Sequence, residues 1–591
     1  MNKKLKKNTK LIDGYTSFDS NLLINRGIDT KEDADKFFNQ GFDDLGNYWD
    51  IKDFKETVYF IKSCIDKGLK ICIFGDYDVD GITSTDVLYE GFRELGANVS
   101  YRLPCRIKEG YGIKLSAVKE LIKQGYEVIV TIDNGIRAIE PIKYAREHGV
   151  DVVVLDHHIP GKELPMANYI IDLHREDETY PYREFAGCGV AFMVMRGLYF
   201  LYGYDDDFCK RHLDVVAIGT IADVMKLTGE NRILVKEGLA MINDTINYHH
   251  FGILALIKTQ CITKKLTAKD IGYSIAPCFN APGRLLEDGA NYGLELLLSD
   301  NMQDALKQAG YICSINEMRK TMEHNATLNA FDYIEKHNMQ NNNIIIVFQD
   351  GLPEGLIGLV SGRITSKYNR PSIVFTKNAR GNWKASARSI KSIDLFECLC
   401  SCDCLFVGYG GHEQAAGLEI KPEDFDTLNI ALNEFIEDNY DKSTFDIENV
   451  YEGELDVDEI NNTFFDKLEK YEPCGEENPL PVFFIKEFNS VKRKIPRQQD
   501  ITHYQLYGDG GEHFKLFGER FDLQGFRLGE KFKELGCPTS VSCLVTIEKS
   551  TLTGEDKIVL NAIDIDEPVV KQHIEKNTSV LNEIQNLANL L

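Results

Sequence analysis

ICIFGDYDVDGITS (71–84), EVIVTIDNG (127–135) and DVVVLDHH (151–158) follow one pattern. Each is a short apolar run, rich in β-branched residues, that stops at an aspartate. Two further runs, ANVSYRL (97–103) and YIID (169–172), continue the series, with helix-like stretches between them near 83–95, 115–125 and 138–148. Strand alternating with helix predicts a parallel, doubly wound sheet. Strands that are apolar throughout fit burial on both faces. In such a sheet the C-terminal ends of the strands share one edge, and ligands bind there.

That edge would carry Asp76, Asp78, Asp80, Asp133 and Asp156, with His157 and His158. One aspartate after one strand is an ordinary helix cap or turn residue. Three such stretches converging with paired histidines are not explained that way. Carboxylates crowded into one crevice repel each other unless cations neutralise them. Carboxylate and imidazole donors suit Mn²⁺ or a similar divalent ion. A paired-metal site activates water and stabilises the leaving oxygen in phosphoester hydrolysis. AIGTIADVMKL (217–227) offers Asp223 as a fourth contribution, after small and apolar residues that fit a buried wall.

The 591 residues exceed what one core organises, so several domains are expected. Hydrophobic residues make up 43% and charged residues 27%, as in a globular protein. No apolar run approaches the roughly 20 residues that span a bilayer. The basic start, MNKKLKKNTK, leads into no apolar stretch and reads as a solvated tail rather than a signal peptide. The 15 cysteines are scattered; Cys398, Cys400, Cys402 and Cys404 alternate as in a strand or loop, with no CxxC or nearby histidine to complete a zinc site. They read as small buried hydrophobes, and so many free thiols point to the reducing cytoplasm. The net charge of −25 argues against generic coating of nucleic acid. It leaves room for a basic groove in an acidic body.

Residues 185–335 read as mostly helical, and 296–336 contains no proline and only Gly310, as in a long bridging helix broken once. Strands resume at IIIVF (344–348), SIVF (372–375) and CLFV (404–407), with a helix over 356–368, which predicts a second, smaller α/β domain. Residues 451–565 are strand-rich, with turns at GDGG (508–511) and TGED (553–556), as in a small β-barrel. Within them FIKEFNSVKRKIPR (484–497) holds five basic residues and one acidic, with Phe484 and Phe488 interleaved. That mixture fits single-strand binding, or else a solvated, charge-protected sheet edge.

GDYDVDGITS (75–84), TIDNG (131–135), LDHH (155–158) and GTIADV (219–224) resemble, in order, the four metal-binding motifs of the DHH phosphoesterase superfamily. FNAPGRL (279–285) and GYGGHEQAAG (408–417) resemble two further motifs, the second marking the DHH-associated (DHHA1) domain. EPCGEENPLPVF (472–483) is similar to the entry of the OB-type domain in the superfamily's single-strand-specific DNA exonucleases, and RGIDTKEDADKFF (26–38) to their N-terminal region. The resemblance implies an α/β chain divided into an N-terminal segment (1–53), a doubly wound parallel-sheet DHH catalytic domain (54–235), a helical linker (236–336), a smaller α/β DHH-associated domain (337–446), an OB-type β-barrel (447–567) and a helical tail (568–591).

The same resemblance implies roles. Asp78, Asp80, Asp133, His157 and Asp223 would ligate two Mn²⁺ or Mg²⁺ ions, with Asp133 bridging. Asp76 and Asp156 would orient those ligands. His158 would contact the scissile phosphate or assist proton transfer. Arg106, Arg284, Arg388 and Ser386 would grip a 5′ phosphate, for which the planar guanidinium fork is suited. Tyr111 would stack on a base, and Asn280 and His412 would contact substrate. The implied activity is hydrolysis of single-stranded DNA from its 5′ end to 5′-mononucleotides, in DNA repair and recombination. The implied setting is a cytoplasmic monomer, working with a single-strand-binding protein and a RecQ-type helicase. The chain departs from the usual pattern at Cys474, where Phe is usual, and at Glu477 and Ala387, where Gly is usual. Two rivals remain. A small-substrate phosphoesterase would carry a His-x-Asn-Pro-Asp-like first motif, absent here. A non-enzymatic scaffold would have lost ligands, and all are present.

Overall fold

A computed structural model of the chain describes residues 3–568 apart from 245, 249, 379–380, 495–500 and 551–556. The expected turn at 553–556, and all but the first residue of the expected tail helix, lie outside the described residues. The chain forms two compact units, one of residues 44–262 with 266–447, the other of 1–43, 263–265 and 448–591.

The first unit opens with a five-stranded sheet of β1 (Ile71–Phe74), β2 (Val99–Arg102), β3 (Val128–Ile132), β4 (Asp151–Asp156) and β5 (Tyr169–Asp172). Its order is β2-β1-β3-β4-β5 and every pairing is parallel. The chain leaves β1 towards β2 and returns to the far side of β1 as β3, so the topology switches between β1 and β3, where a doubly wound sheet opens its ligand crevice. Helices α1 (Val79–Glu94), α2 (Leu115–Lys123) and α3 (Ile139–Glu147) connect the strands. β1 and β3 are buried at every position, as continuous apolar strands must be. Two apolar helices, α4 (Gly187–Leu201) and α5 (Leu213–Ala222), pack against α1.

Helical structure then runs to α6 (Ala276–Leu285), the helix Gly289–Leu297 and α7 (Met302–Lys336). The break at 298–301 is the interruption expected in the long bridging helix; the Asn301 side chain caps α7 by accepting from the Asp304 N–H. A second sheet follows, of β6 (Ile345–Phe348), β7 (Ser372–Lys377), β8 (Trp383–Arg388), β9 (Phe406–His412) and β10 (Ala415–Ile420), in the order β9-β10-β8-β7-β6. Helix α8 (Glu354–Tyr368) crosses between the parallel β6 and β7. Two expectations are corrected. The strand placed at 404–407 runs instead over Phe406–His412, because residues 403–405 form a 3-10 turn. Cys398 and Cys400 lie in a short helix, Leu395–Cys400, Cys402 precedes that turn and Cys404 lies in it; Cys398 and Cys402 are buried, but Cys400 and Cys404 are exposed, since this backbone does not keep the two-residue period of a strand.

The second unit holds a seven-stranded, mainly antiparallel sheet drawn from residues 453–566. Residues expected to form a separate N-terminal segment complete its core. The helices Ser17–Asn25 and Lys31–Asn39 bury Leu22, Leu23 and Ala34 in one cluster with Ile460, Phe483, Phe514 and Leu560. The strand Lys3–Leu5 pairs in parallel with Asn449–Tyr451. Phe484 and Phe488 are 2% and 1% exposed, so they are core side chains and do not offer stacking faces. Of the basic residues beside them, Lys486 pairs with Glu454 and Arg493 with Asp522, while Arg497 lies outside the described residues.

Candidate metal centre

The loops after β1, β3 and β4 meet at the topological switch. The turn after β1 is set by Gly81, where a Cβ would fall 2.4 Å from the Asp76 carbonyl oxygen. This close approach lets Asp78 cap α1 by accepting from the Gly81 N–H, and points Asp76 at the Gly112 N–H, 3.2 Å away. Asp80, in the first turn of α1, accepts from the Gly187 N–H at 2.6 Å and the Cys188 N–H at 2.9 Å. It thereby caps α4, whose own N-cap, Ala186, has no side chain for the task. A Cβ on Gly187 would sit 2.8 Å from the Asp133 Cβ and 2.9 Å from Asp80 Oδ2, so only glycine fits.

Asp133 has φ 60°, in the left-handed region, and turns its carboxylate back into the crevice. The buried Asn134 ties three segments together: its Nδ2 donates to the Phe74 and Ile132 carbonyls, and its Oδ1 accepts from the Ile113 N–H. Asp156 is fully buried. Its carboxylate accepts from the backbone N–H groups of Ile136, His157 and His158, and lies 2.8 Å from His158 Nδ1. That contact places the proton of His158 on Nδ1. His157 Nε2 lies 3.0 Å from Asp133 Oδ1, 3.6 Å from Asp80 Oδ2 and 3.7 Å from Asp223 Oδ2. Asp223 is the C-cap of α5.

Three overlapping sets of donor atoms result, each within 4.8 Å of one another: Asp76, Asp78 and Asp133; Asp133, His157 and His158; Asp80, His157 and Asp223. Burial first, then the charges of Asp80, Asp78, Asp76 and Asp223, push the Asp133 carboxyl well above the usual range. Burial and Asp78 do the same to Asp76, and burial with Asp80 and Asp78 lifts Asp223 to about 8. At Asp156 burial is outweighed by the hydrogen bond and charge of His158, which hold the carboxyl low. Against its own burial, His158 is raised to about 9 by the bond to Asp156. Carboxylates this close and this buried ionise together only beside positive charge. The oxygen and imidazole donors fit hard or borderline divalent cations.

A second cluster carries the opposite charge. Arg106 lies over the Tyr77 ring at 4.7 Å. Arg284, in the last turn of α6, donates to the Gly355 carbonyl; burial, then the charges of Arg106 and Arg319, push it down to about 9. Arg388 Nη1 donates to Ser386 Oγ at 2.9 Å, and its guanidinium is lowered by burial and by Arg106. No carboxylate pairs with any of the three among the described residues. α8 reaches this cluster through glycines: a Cβ on Gly355 would lie 2.2 Å from the Arg284 carbonyl, and one on Gly358 would lie 2.9 Å from both Ser386 Oγ and Arg388 Nη2. Asn280 stands one turn before Arg284 on α6, half-buried. The Tyr111 hydroxyl lies 3.2 Å from the Asp133 carbonyl and 3.0 Å from His158 Nδ1, while the residue as a whole stays 40% exposed. His412, at the end of β9, lines a cavity of about 340 Å³ together with His158 and Asp156. Sequence reading missed Gly187, Cys188, Asn134, Gly355 and Gly358. One signal was available, since FAGCGVAF (185–192) begins a helix with no capping side chain.

The fold and this site define a DHH-type protein. Residues 70–220 match the DHH family, N-terminal domain; 341–438 match the DHHA1 domain; and 451–564 match the RecJ OB domain. The chain belongs to the RecJ family. It is 34% identical over 514 residues to the single-stranded-DNA-specific exonuclease RecJ of Bacillus subtilis, covering 86% of this chain but 63% of that relative. It is 32% identical over 447 residues to its namesake in Escherichia coli, covering 73% of this chain and 77% of the relative. The crystal structure of RecJ in complex with Mn²⁺ from Thermus thermophilus superposes with a TM-score of 0.76 at 26% identity, covering 93% of this chain and 76% of that one.

Proposed function

We propose that this chain is a metal-dependent hydrolase that removes 5′-mononucleotides from the 5′ end of single-stranded DNA, with two Mn²⁺ or Mg²⁺ ions as cofactors, in DNA repair and recombination. One observation carries the reading: three carboxylate-free guanidinium groups, Arg106, Arg284 and Arg388, stand beside a crevice of buried carboxylates. An anion gripped by the arginines would present its neighbouring phosphodiester to the carboxylate crevice. The names of the relatives support the same substrate.

Asp78, Asp80, Asp133, His157 and Asp223 would hold the ions, with Asp76 and Asp156 behind them. Bound there, the ions would supply an activated water and charge to stabilise the departing 3′-oxygen. The chain's own groups do the rest. Asp156 accepts from His158 Nδ1 and stabilises the imidazolium, whose Nε2–H would donate to a phosphate oxygen. Ser386 and the arginines hold the 5′ phosphate, fixing which bond reaches the crevice and so the polarity. Tyr111, its hydroxyl anchored at Asp133, offers its exposed ring to a base of the strand. Pre-positioning of this kind supplies much of the rate in phosphoryl transfer.

Family membership further suggests a single-strand-binding protein and a RecQ-type helicase as partners, and a monomer acting in the cytoplasm. Co-purification of tagged protein would test those partners. The activity itself is tested by a time course with Mn²⁺ on 5′- and 3′-labelled strands. Immediate release of mononucleotide from the 5′ label of single strands, with duplex spared, is expected. Release from the 3′ end, or equal attack on duplex, would overturn the proposal.

A further inference from the structure

The cavity beside His158 has a cationic wall that the reading above leaves unused. It is lined by Lys114 and Arg137 as well as by Tyr111, Asp156, His158 and His412. Lys114 and Arg137 are both exposed, and neither pairs with a carboxylate among the described residues. Among nearby cations, Arg102 pairs with Glu109 and Glu120, Lys143 with Glu147 and Arg146 with Asp151, while Lys119 and Lys123 of α2 make no ion pair among the described residues. Arg137 is also held in place, since its Nε donates to the Ile159 carbonyl at 2.8 Å, leaving the terminal nitrogens available. Lys114 and Ala138 are the N-caps of α2 and α3, and neither side chain caps its helix, so both helix starts add positive potential to the same wall.

Position along the sheet edge says what this wall faces. Arg106 follows β2, the aspartates 76–80 follow β1, Arg137 follows β3, and His158 follows β4. In the order β2-β1-β3-β4 the aspartates 76–80 therefore lie between Arg106, after β2, and Arg137, after β3, while the loop 103–114 carries Lys114 on from Arg106 to the cavity that Arg137 lines. The two positive regions are separated by two to three strand spacings, on the order of 10–14 Å. A strand whose 5′ phosphate sits on the first cluster must leave the crevice on its 3′ side.

We propose that Lys114 and Arg137 form a subsite for the phosphodiester that follows the scissile one on its 3′ side. They hold the outgoing strand in register, so that successive nucleotides advance into the crevice. They are positioning residues. The inference rests on the exonuclease reading above.

The test compares 5′-phosphorylated thymidine dinucleotide, which has no phosphodiester beyond the scissile bond, with the trinucleotide, which has one. With Mn²⁺, the Lys114→Gln/Arg137→Gln double variant is expected to raise KM for the trinucleotide about tenfold with little change in kcat. KM for the dinucleotide should move far less. The slope of log KM against log salt for the trinucleotide should become shallower by about 0.7, the value for one phosphate contact on a single strand. Both side chains are exposed, so unchanged thermal unfolding is the expected control. Equal losses on the two substrates, or an unaltered trinucleotide KM and salt slope, would refute the subsite. If the wild type cuts neither these oligonucleotides nor long single strands, the exonuclease reading fails first and the subsite falls with it.

Discussion

At the scale of single residues, the candidate site sets a group of buried carboxylates beside a group of arginines. Asp133 is 3% exposed and crowded by carboxylates, so its charge is unfavourable without a cation. Asp133→Asn keeps an acceptor for His157 and tolerates the left-handed backbone. In EDTA it should unfold at a higher temperature than the wild type, because the buried charge that the neighbouring carboxylates oppose is gone. With Mn²⁺ it should retain less than a hundredth of the activity. A variant as active as the wild type, or less stable in EDTA, would contradict the assignment. Arg284 is the mirror case, a half-buried cation with no carboxylate partner among the described residues. Arg284→Ala should reduce kcat/KM on 5′-phosphorylated strands by tenfold or more, and much less on 5′-hydroxyl strands. Equal losses on the two ends would argue against an end-phosphate pocket.

At the scale of elements, close backbone contacts set the geometry. Gly187→Ala would thrust a methyl group between Asp80 and Asp133, and the start of α4 would have to move. A destabilisation of about 1–3 kcal/mol is expected from such overpacking, together with loss of Mn²⁺-dependent activity. Wild-type Mn²⁺ affinity by calorimetry would show that the contact does not matter. Glu477 makes the complementary point. Its φ of 58° explains why glycine suits that position, and Glu477→Gly should stabilise the C-terminal unit by about 0.5–1 kcal/mol, read from chemical denaturation. Legibility in the sequence also divides by element. β1, β3 and β4 could be read because strands buried on both faces are apolar throughout and each ends in aspartate. WKASAR and AAGLEI could not, because alanine, serine and glycine carry little strand preference. β8 and β10 are strands by virtue of their register with β7 and β9. The Asp80–Gly187 contact, between residues 107 apart, leaves no local trace beyond an uncapped helix. The aromatic residues at 484 and 488 misled, because a basic stretch does not reveal which face of its strand is buried.

At the scale of the whole molecule, the chain divides its labour between two units. The N-terminal helices belong to the core of the C-terminal sheet although more than 400 residues separate them in sequence. Leu22 is 1% exposed in that core, so Leu22→Ala should cost about 2–5 kcal/mol. In calorimetry it should lower the transition of the C-terminal unit and leave that of the unit bearing the carboxylates in place; a common downward shift of both would tell against independent cores. Everything proposed for activity depends on cations seated at the edge of the five-stranded sheet. Anomalous diffraction at the manganese edge, from crystals grown with Mn²⁺, tests this most directly. The account predicts two peaks, roughly 3.5–4 Å apart, among Asp78, Asp80, Asp133, His157 and Asp223. No peak within that group, in crystals where those side chains are well ordered, would contradict it.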